Sequence, residues 1–198
     1  MTARPMMSPV HNEAGMWWRY ARATAVAFLR GAAPPEIHVF GPAFGYGENA
    51  YFQGTATYSR MYGGDGSYTT TGLFAFGGPA FTIGALAANG YVNHRRKLAA
   101  QRAAAVQWRE HQQVGIIGTS HRLLINTAQS GWLPFDYGAV TEYYPDLTAW
   151  SLTMGFGGES PPLRLIGPPV PAAAVLLSVA LAPGRWHHDP RLAPLLRS

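Results

Sequence analysis

The sequence predicts an α+β protein in which a β-rich domain carries a helix near each end. Three observations indicate this class. Apolar and β-branched residues recur at strand spacing from Val114 to Tyr144, and a polar, Gly-bearing loop interrupts them. An earlier stretch, Tyr51–Tyr62, also reads as a strand. The segment Glu13–Leu29 has the spacing of an amphipathic helix, and further strands and one closing helix are expected after Tyr144.

The N-terminal region is predicted to hold a disordered tail, residues 1–12, and then a helix over Glu13–Leu29. Asn12 is a good N-cap, and Gly31 is suited to end the helix. Two interpretations of this helix remain open. It packs its aromatic edge on the domain, or it lies on an anionic bilayer with that edge and its arginines. The aromatic edge consists of Trp17, Tyr20, Thr24 and Phe28.

Two strands are predicted after a proline-bearing spacer, over Glu36–Phe40 and Tyr51–Tyr62. A long stretch that reads as a helical insertion, residues 67–108, follows them. From Gly66 to Asn93 it contains no Asp, Glu, Lys or Arg. Three interpretations of Leu73–Val92 stay open: a transmembrane helix, a membrane-dipping or self-associating hairpin, and a helix buried against the sheet or a second subunit. The basic residues that come next suit either a solvated helix face or membrane phosphates: Arg95, Arg96, Lys97 and Arg102.

The second half of the chain carries a family resemblance. Thr119–Leu124 (TSHRLL), followed by a Gly-Trp strand, resembles the T-x-x-R-L signature of bacterial pleckstrin-homology-like and GRAM-like domains. The resemblance extends over Val114–Leu181. It implies a β-sandwich or barrel closed by a C-terminal helix at Pro171–Leu181, and it implies a binding module. The β-domain would be formed by residues 36–66 and 109–182, split by the insertion, with a tail at 183–198.

Candidate chemistry is sparse. The chain has no cysteine, which excludes disulfides, thiolate nucleophiles and Cys-ligated zinc. The cluster His187-His188-Asp189 is interpreted as a solvated tail, since adjacent histidines do not easily reach one ion from a regular element. His121 is expected at an edge or turn. Asp136, Glu142 and Asp146 are expected at the surface. The sequence therefore predicts no enzyme, no cofactor and no metal.

Charge and composition limit the partners. The net charge is +5, and the basic residues concentrate near the two termini and in residues 95–110 rather than on the β-rich parts, so no nucleic acid is expected. Charged residues make up only 13% of the chain, which suggests that a partner or a membrane covers some apolar surface. All but one of the 15 cationic residues, Lys97, are arginine, as in proteins from high-GC bacteria. No signal peptide is recognised, so a cytoplasmic location is expected, with membrane association left open.

The first functional hypothesis is a non-enzymatic binding or scaffold module that acts at a membrane surface or in a homo-oligomer. The alternative is a purely structural protein–protein module that buries Leu73–Val92 in a subunit interface, and an uncharacterised enzyme ranks third. The residues expected to contact lipid phosphates or a partner are Trp17, Trp18, Arg19, Arg22, Arg95, Arg96, Lys97 and Arg102.

Overall fold

The computed structural model describes residues 9–64 and 105–197. The α+β class is confirmed: the described part holds three α-helices and one antiparallel sheet. Most of the predicted insertion lies outside the described residues, including Leu73–Val92 and the basic residues 95–97 and 102. The elements in chain order are α1 (Pro9–Leu29), β1 (Ala50–Tyr62), β2 (Gln107–Thr119), β3 (Arg122–Thr127), β4 (Gly131–Asp136), β5 (Glu142–Asp146), β6 (Ser151–Gly155), β7 (Leu163–Ile166), α2 (Val170–Leu181) and α3 (Ala193–Leu196).

The sheet has seven strands in the order β4-β3-β2-β1-β7-β6-β5, and all its pairs are antiparallel. The 13-residue β1 lies at the centre and pairs with β2 on one side and β7 on the other. The segment Tyr51–Tyr62 therefore pairs directly with later strands of the chain, in a single sheet. Tyr62 pairs with Gln107, so the chain leaves the sheet after β1 and returns beside the same place. Residues 107 and 108, which were assigned to the helical insertion, already belong to β2.

The sheet is strongly curled. Only the five residues 137–141 connect β4 to β5, although these strands are opposite edges of the sheet. Seven flat strands would set the edges about 29 Å apart, whereas the six Cα steps of this link span at most about 22 Å. Accordingly Phe135 of β4 meets Phe156, just after β6, with 5.8 Å between ring centroids. The two halves of the sheet thus enclose one core.

The helices fill and cover the concave side. Every residue of α2 from Val170 to Ser178 is buried, because it lies between the sheet and α1. The predicted C-terminal helix is thereby confirmed within one residue. The prediction of a solvated tail after residue 182 is wrong. Three apolar side chains of that segment pack into the same core, and their burial holds it in place: Trp186, Leu192 and Leu195.

The N-terminal helix is confirmed, although it begins at Pro9 instead of Glu13. A proline fits the first helical turn, where its missing N–H would have had no partner. The helix ends as the sequence indicates, at Gly31, whose φ of +73° lies in the left-handed region. There the N–H of Ala32 donates to the carbonyl of Ala27 and that of Gly31 donates to Phe28. This is the Schellman arrangement that glycine favours.

The predicted strand at Glu36–Phe40 is wrong. The segment is irregular and makes one backbone hydrogen bond to the sheet, from the N–H of Ile37 to the carbonyl of Ala50. Pro34 and Pro35, just before it, have no N–H to donate, so a ladder cannot run into the segment from its N-terminal side. Instead of extending the sheet, the segment covers its convex face, where Val39 and Phe44 pack on a small cluster formed by Ala50, Ile117 and Leu124.

Each edge strand contains a proline. Pro134 lies in β4 opposite Leu124, and Pro145 lies in β5 opposite Leu152. Proline is tolerated there because the outer side of an edge strand has no ladder hydrogen bonds to lose.

Candidate functional site

A cavity of about 300 Å³ opens at the end of the sheet where β1 ends, β2 begins and β3 turns into β4. We call it the Tyr58 cavity. Most of its lining is polar, and one lining residue, Glu110, carries a charge. The lining residues are Tyr58, Glu110, Thr127, Gln129, Ser130 and Leu133.

Glu110 occupies an unusual backbone position. Tyr58 pairs with Gln112 and Arg60 with Arg109, so β2 has one residue more than β1 at this point and forms a β-bulge. Within the bulge Glu110 has a φ of +56°, the left-handed conformation, which costs a non-glycine residue about 1–2 kcal/mol. The hydroxyl of Tyr62 donates to Oε1 of Glu110 at 2.9 Å. This hydrogen bond raises the pKa of Tyr62.

Tyr58 is the buried member of the lining. Only 2% of its surface is exposed, and its hydroxyl has no hydrogen-bond partner within the described part of the chain. Burial raises the pKa of Tyr58, so the phenol stays neutral. A buried hydroxyl normally has a partner. Because Tyr58 lines the cavity, a molecule bound there can supply such a partner.

The turn between β3 and β4 forms the opposite wall. Thr127 Oγ1 accepts from the N–H of Ser130 at 3.2 Å, and the amide oxygen of Gln129 accepts from Gln112 Nε2 at 3.0 Å. The N–H of Ala128 donates to the side-chain oxygen of Gln112 at 2.9 Å. These bonds hold the turn against β2, so the wall facing Glu110 is fixed.

Two arginines lie near the cavity without lining it. The guanidinium of Arg109 donates from Nε to the carbonyl of Tyr62 at 3.0 Å. Arg60 lies over the rings of Phe135 and Phe156, at 5.4 and 5.7 Å from their centroids, and donates to Ser160. These two cations thus interact with neighbouring carbonyl, hydroxyl and aromatic groups. The charged side chain in the lining itself is that of Glu110.

A second cluster, at the β2–β3 turn, is an ion pair with a structural role. Glu48 accepts from Arg122 Nε and Nη2, both at 2.8 Å, from Thr119 Oγ1 at 2.7 Å and from the N–H of Gly45 at 2.8 Å. Burial alone would raise the pKa of Glu48, but these hydrogen bonds outweigh it and lower the pKa. Arg122 also donates to the carbonyl of Ala43 at 3.2 Å. The pair therefore clamps the segment before β1 to the turn.

The same turn contains the pair Ser120 and His121, whose Oγ and Nδ1 are 2.9 Å apart. The Ser120 oxygen also accepts from the N–H of Asn49 at 3.1 Å. His121 is exposed and lies at the turn, where the sequence placed it. In the described part no carboxylate is bonded to His121. The contacts thus fasten the turn and do not form a catalytic triad.

The remaining polar candidates have structural contacts. Asp189 accepts from Tyr143 Oη at 2.9 Å and from Arg191, which lowers the pKa of Asp189 chiefly through the arginine. It is therefore part of the packed C-terminus rather than a solvated tail. Asp146 caps the turn after β5 through the N–H groups of Thr148 and Ala149, both at 3.0 Å. Across residues 9–64 and 105–197, no group of three potential metal ligands occurs.

The predicted contact residues on α1 take different positions. Trp17 packs edge-on against Phe52, at 5.7 Å between centroids, and Trp18 packs against Trp150 at 5.6 Å. Both tryptophans thus follow the packing interpretation. Arg19 is exposed, and Arg22 donates to the carbonyl of Arg197. The other predicted contacts, residues 95–97 and 102, lie outside the described part. None of the helices in the described ranges has the length and apolar character needed to cross a membrane.

Comparisons with family models, curated proteins and solved structures found no match. The Tyr58 cavity was not predicted from the sequence. Tyr58 and Glu110 lie far apart in the chain, and Glu110 stands in a polar run, QWREHQQ, with no motif. The register of β1 and β2, and the bulge within it, bring the two together.

Proposed function

We propose that the chain is a non-enzymatic binding or scaffold module built on a pleckstrin-homology-like or GRAM-like β-fold. The observation that carries this proposal is the strand order β4-β3-β2-β1-β7-β6-β5 followed directly by α2, which fills the curled sheet. The T-x-x-R-L segment also falls on a defined feature, because Thr119 and Arg122 are two of the donors that hold Glu48. A packed β-core with exposed connections suits a binding module, because binding residues are often carried by the loops of a folded scaffold.

The module acts, in this proposal, at a membrane surface or in a homo-oligomer. Trp17 and Trp18 pack against Phe52 and Trp150. Contact with lipid would therefore be made by cationic side chains: exposed Arg19, half-buried Arg22 and the basic residues 95–97 and 102. Each cation near an anionic membrane surface contributes about 1 kcal/mol.

Co-sedimentation with vesicles tests this proposal, using phosphatidylserine-containing vesicles beside pure phosphatidylcholine vesicles. We expect anionic vesicles to pellet more protein. The double substitution Arg95→Ala with Arg96→Ala should lower the partition coefficient roughly thirty-fold. The matched control, Arg185→Ala with Arg197→Ala, removes the same charge at the C-terminus and should have a smaller effect.

The oligomeric state, measured by size exclusion with light scattering, separates the remaining hypotheses. A monomer that ignores lipid charge would contradict the proposal. A defined oligomer that forms without lipid and ignores lipid charge would instead favour the protein–protein module.

A further inference from the structure

We propose that the Tyr58 cavity binds an alkylammonium group, with the carboxylate of Glu110 as its counterion and the hydroxyl of Tyr58 as a hydrogen-bond acceptor. The group could belong to a free amine or to a lysine side chain of a peptide. This inference rests on the proposed function, a binding module, and names the chemistry that one of its sites takes.

The charge of the lining selects the sign of the ligand. Glu110 is the acidic side chain among the six that form the wall, which contain no basic residue. Its Oε1 accepts from Tyr62, whereas Oε2 has no partner within the described residues. Glu110 is exposed, so water donates to this oxygen when no ligand is bound. A charged donor that replaces the water forms a stronger hydrogen bond with the carboxylate. The nearby cations Arg109 and Arg60 contact the carbonyl of Tyr62 and the rings of Phe135 and Phe156, so the carboxylate is the charged group of the lining itself.

Tyr58 supplies the second, independent observation. It is 98% buried and lines the cavity, and its hydroxyl finds no partner within the described residues. An ammonium group has three N–H donors. One can reach the second carboxylate oxygen of Glu110 and another the Tyr58 hydroxyl. One ligand group can thus bond both side chains from within the cavity.

The backbone at Glu110 points to the same place. The left-handed conformation is unfavourable for glutamate and would be free of strain for glycine. Strained residues of this kind cluster at binding sites, where the surrounding structure holds them. Bulges also redirect side chains near functional sites. Here the bulge places a carboxylate beside a buried phenol.

The size of the cavity limits the rest of the ligand. About 300 Å³ is the lower end of the range for small-molecule sites. Leu133 gives the wall an apolar part against which a short alkyl chain can pack. A primary amine on a chain of a few methylene groups therefore fits better than a bulky or polyanionic ligand.

Titration of the full chain, followed by NMR chemical shifts at neutral pH and low salt, tests this inference. The probes are n-butylammonium, n-butanol with the same shape and no charge, and n-butanesulfonate with the opposite charge. Only n-butylammonium should shift the resonances of the cavity residues. An acetylated and amidated Gly-Lys-Gly peptide, titrated in parallel, shows whether a lysine side chain can reach the cavity or a free amine alone can.

Variants locate the binding. Glu110→Gln should weaken n-butylammonium binding at least about tenfold and Tyr58→Phe by roughly fivefold, from the loss of a charged and a neutral hydrogen bond. Glu159→Gln, an exposed carboxylate that does not line the cavity, should leave binding unchanged. Glu110→Gly removes the carboxylate and relieves the backbone strain, so it keeps the test valid if the glutamine variant fails to fold.

The inference is overturned if n-butylammonium does not bind, if n-butanol binds equally well, or if both Glu110 variants bind as the unchanged chain does. If the protein binds anionic vesicles or forms an oligomer but does not bind the amine, only the proposal for the cavity is contradicted. If a monomer binds the amine and does not respond to lipid charge, only the proposed action at a membrane or in an oligomer is contradicted.

Discussion

Removing the guanidinium of Arg122 should cost about 2–3 kcal/mol of unfolding free energy. In the structure Arg122 donates two hydrogen bonds of 2.8 Å to Glu48, one to each carboxylate oxygen. Arg122→Ala leaves the carboxylate in place with its donors from Thr119 and Gly45, but without its cation. The substitution thus leaves a buried negative charge without its counterion, instead of removing both charges together.

The magnitude follows from the burial of the two partners. The Glu48 side chain is 4% exposed and that of Arg122 is 22% exposed. Breaking a fully buried pair costs about 3–5 kcal/mol, and the partial exposure of Arg122 lets water replace some of the lost stabilisation. Arg191 and Asp189 form a matched pair in which the side chains are 39% and 12% exposed. Arg191→Ala should therefore cost less, about 1 kcal/mol.

The same pair predicts how stability depends on pH. The pKa of Glu48 is lower in the folded protein than in the unfolded chain, where it is about 4.3. The folded state therefore holds the proton less tightly, and the contribution of Glu48 is complete above that pH and is lost as the pH falls through the folded pKa. Glu48→Gln should flatten the fall in stability below about pH 5.

Urea unfolding followed by far-ultraviolet circular dichroism measures both effects, at neutral pH and in an acid series. If Arg122→Ala lowers the unfolding free energy no more than Arg191→Ala does, burial of the Glu48–Arg122 pair does not set the size of the loss. If Glu48→Gln loses stability on acidification as steeply as the unchanged chain, the lowered pKa of Glu48 does not cause that loss.

Three further predictions concern packing and are measured by thermal unfolding. Gly54→Ala should lower the unfolding free energy by about 1–3 kcal/mol, because the added methyl would lie 2.8 Å from a ring carbon of Trp17. As the control, Gly138→Ala should be nearly neutral, because its methyl would meet no atom within 4 Å. Tyr137→Phe should cost about 1 kcal/mol, since the buried hydroxyl donates to a backbone carbonyl at 3.0 Å. A chain that ends at Pro183 should lose its cooperative transition, because it lacks three buried side chains, each of which stabilises the core by about 2–5 kcal/mol.

For each of these three predictions, one result would contradict the packing explanation. Equal stability of the two alanine variants would mean that α1 can shift away from β1. An unchanged midpoint for Tyr137→Phe would mean that water replaces the lost bond. A shortened chain that unfolds at the normal temperature would show that the C-terminal segment only rests on the core.

The elements that sequence reasoning found are those with a local cause. The strand Tyr51–Tyr62 and the helix near Pro171–Leu181 carry runs of strand or core residues, and Gly31 ends α1 through its own conformational freedom. Glu36–Phe40 has the same composition as a strand and yet is irregular. The described contacts of this segment are long-range: Ile37 donates to the carbonyl of Ala50, and Val39 packs on the convex cluster.

The C-terminal segment and the candidate site were missed for the same reason. Trp186 becomes a core residue only because the curled sheet and α2 leave an apolar surface beside it. The polar lining of the Tyr58 cavity depends on a one-residue bulge between two strands that are separated by a long connection. Neither periodicity nor composition encodes such a register. Tyr58 and Glu110 could be paired only after the structure was known.

The prolines in the two edge strands affect how readily the protein aggregates when it is concentrated. A β-sheet can recruit strands from neighbouring molecules through its outer N–H and C=O groups, which is the first step toward fibrils. Pro134 and Pro145 each remove one such donor near the middle of a margin. Copies of this chain should therefore pair less readily edge to edge through β4 and β5, which favours assembly through other surfaces.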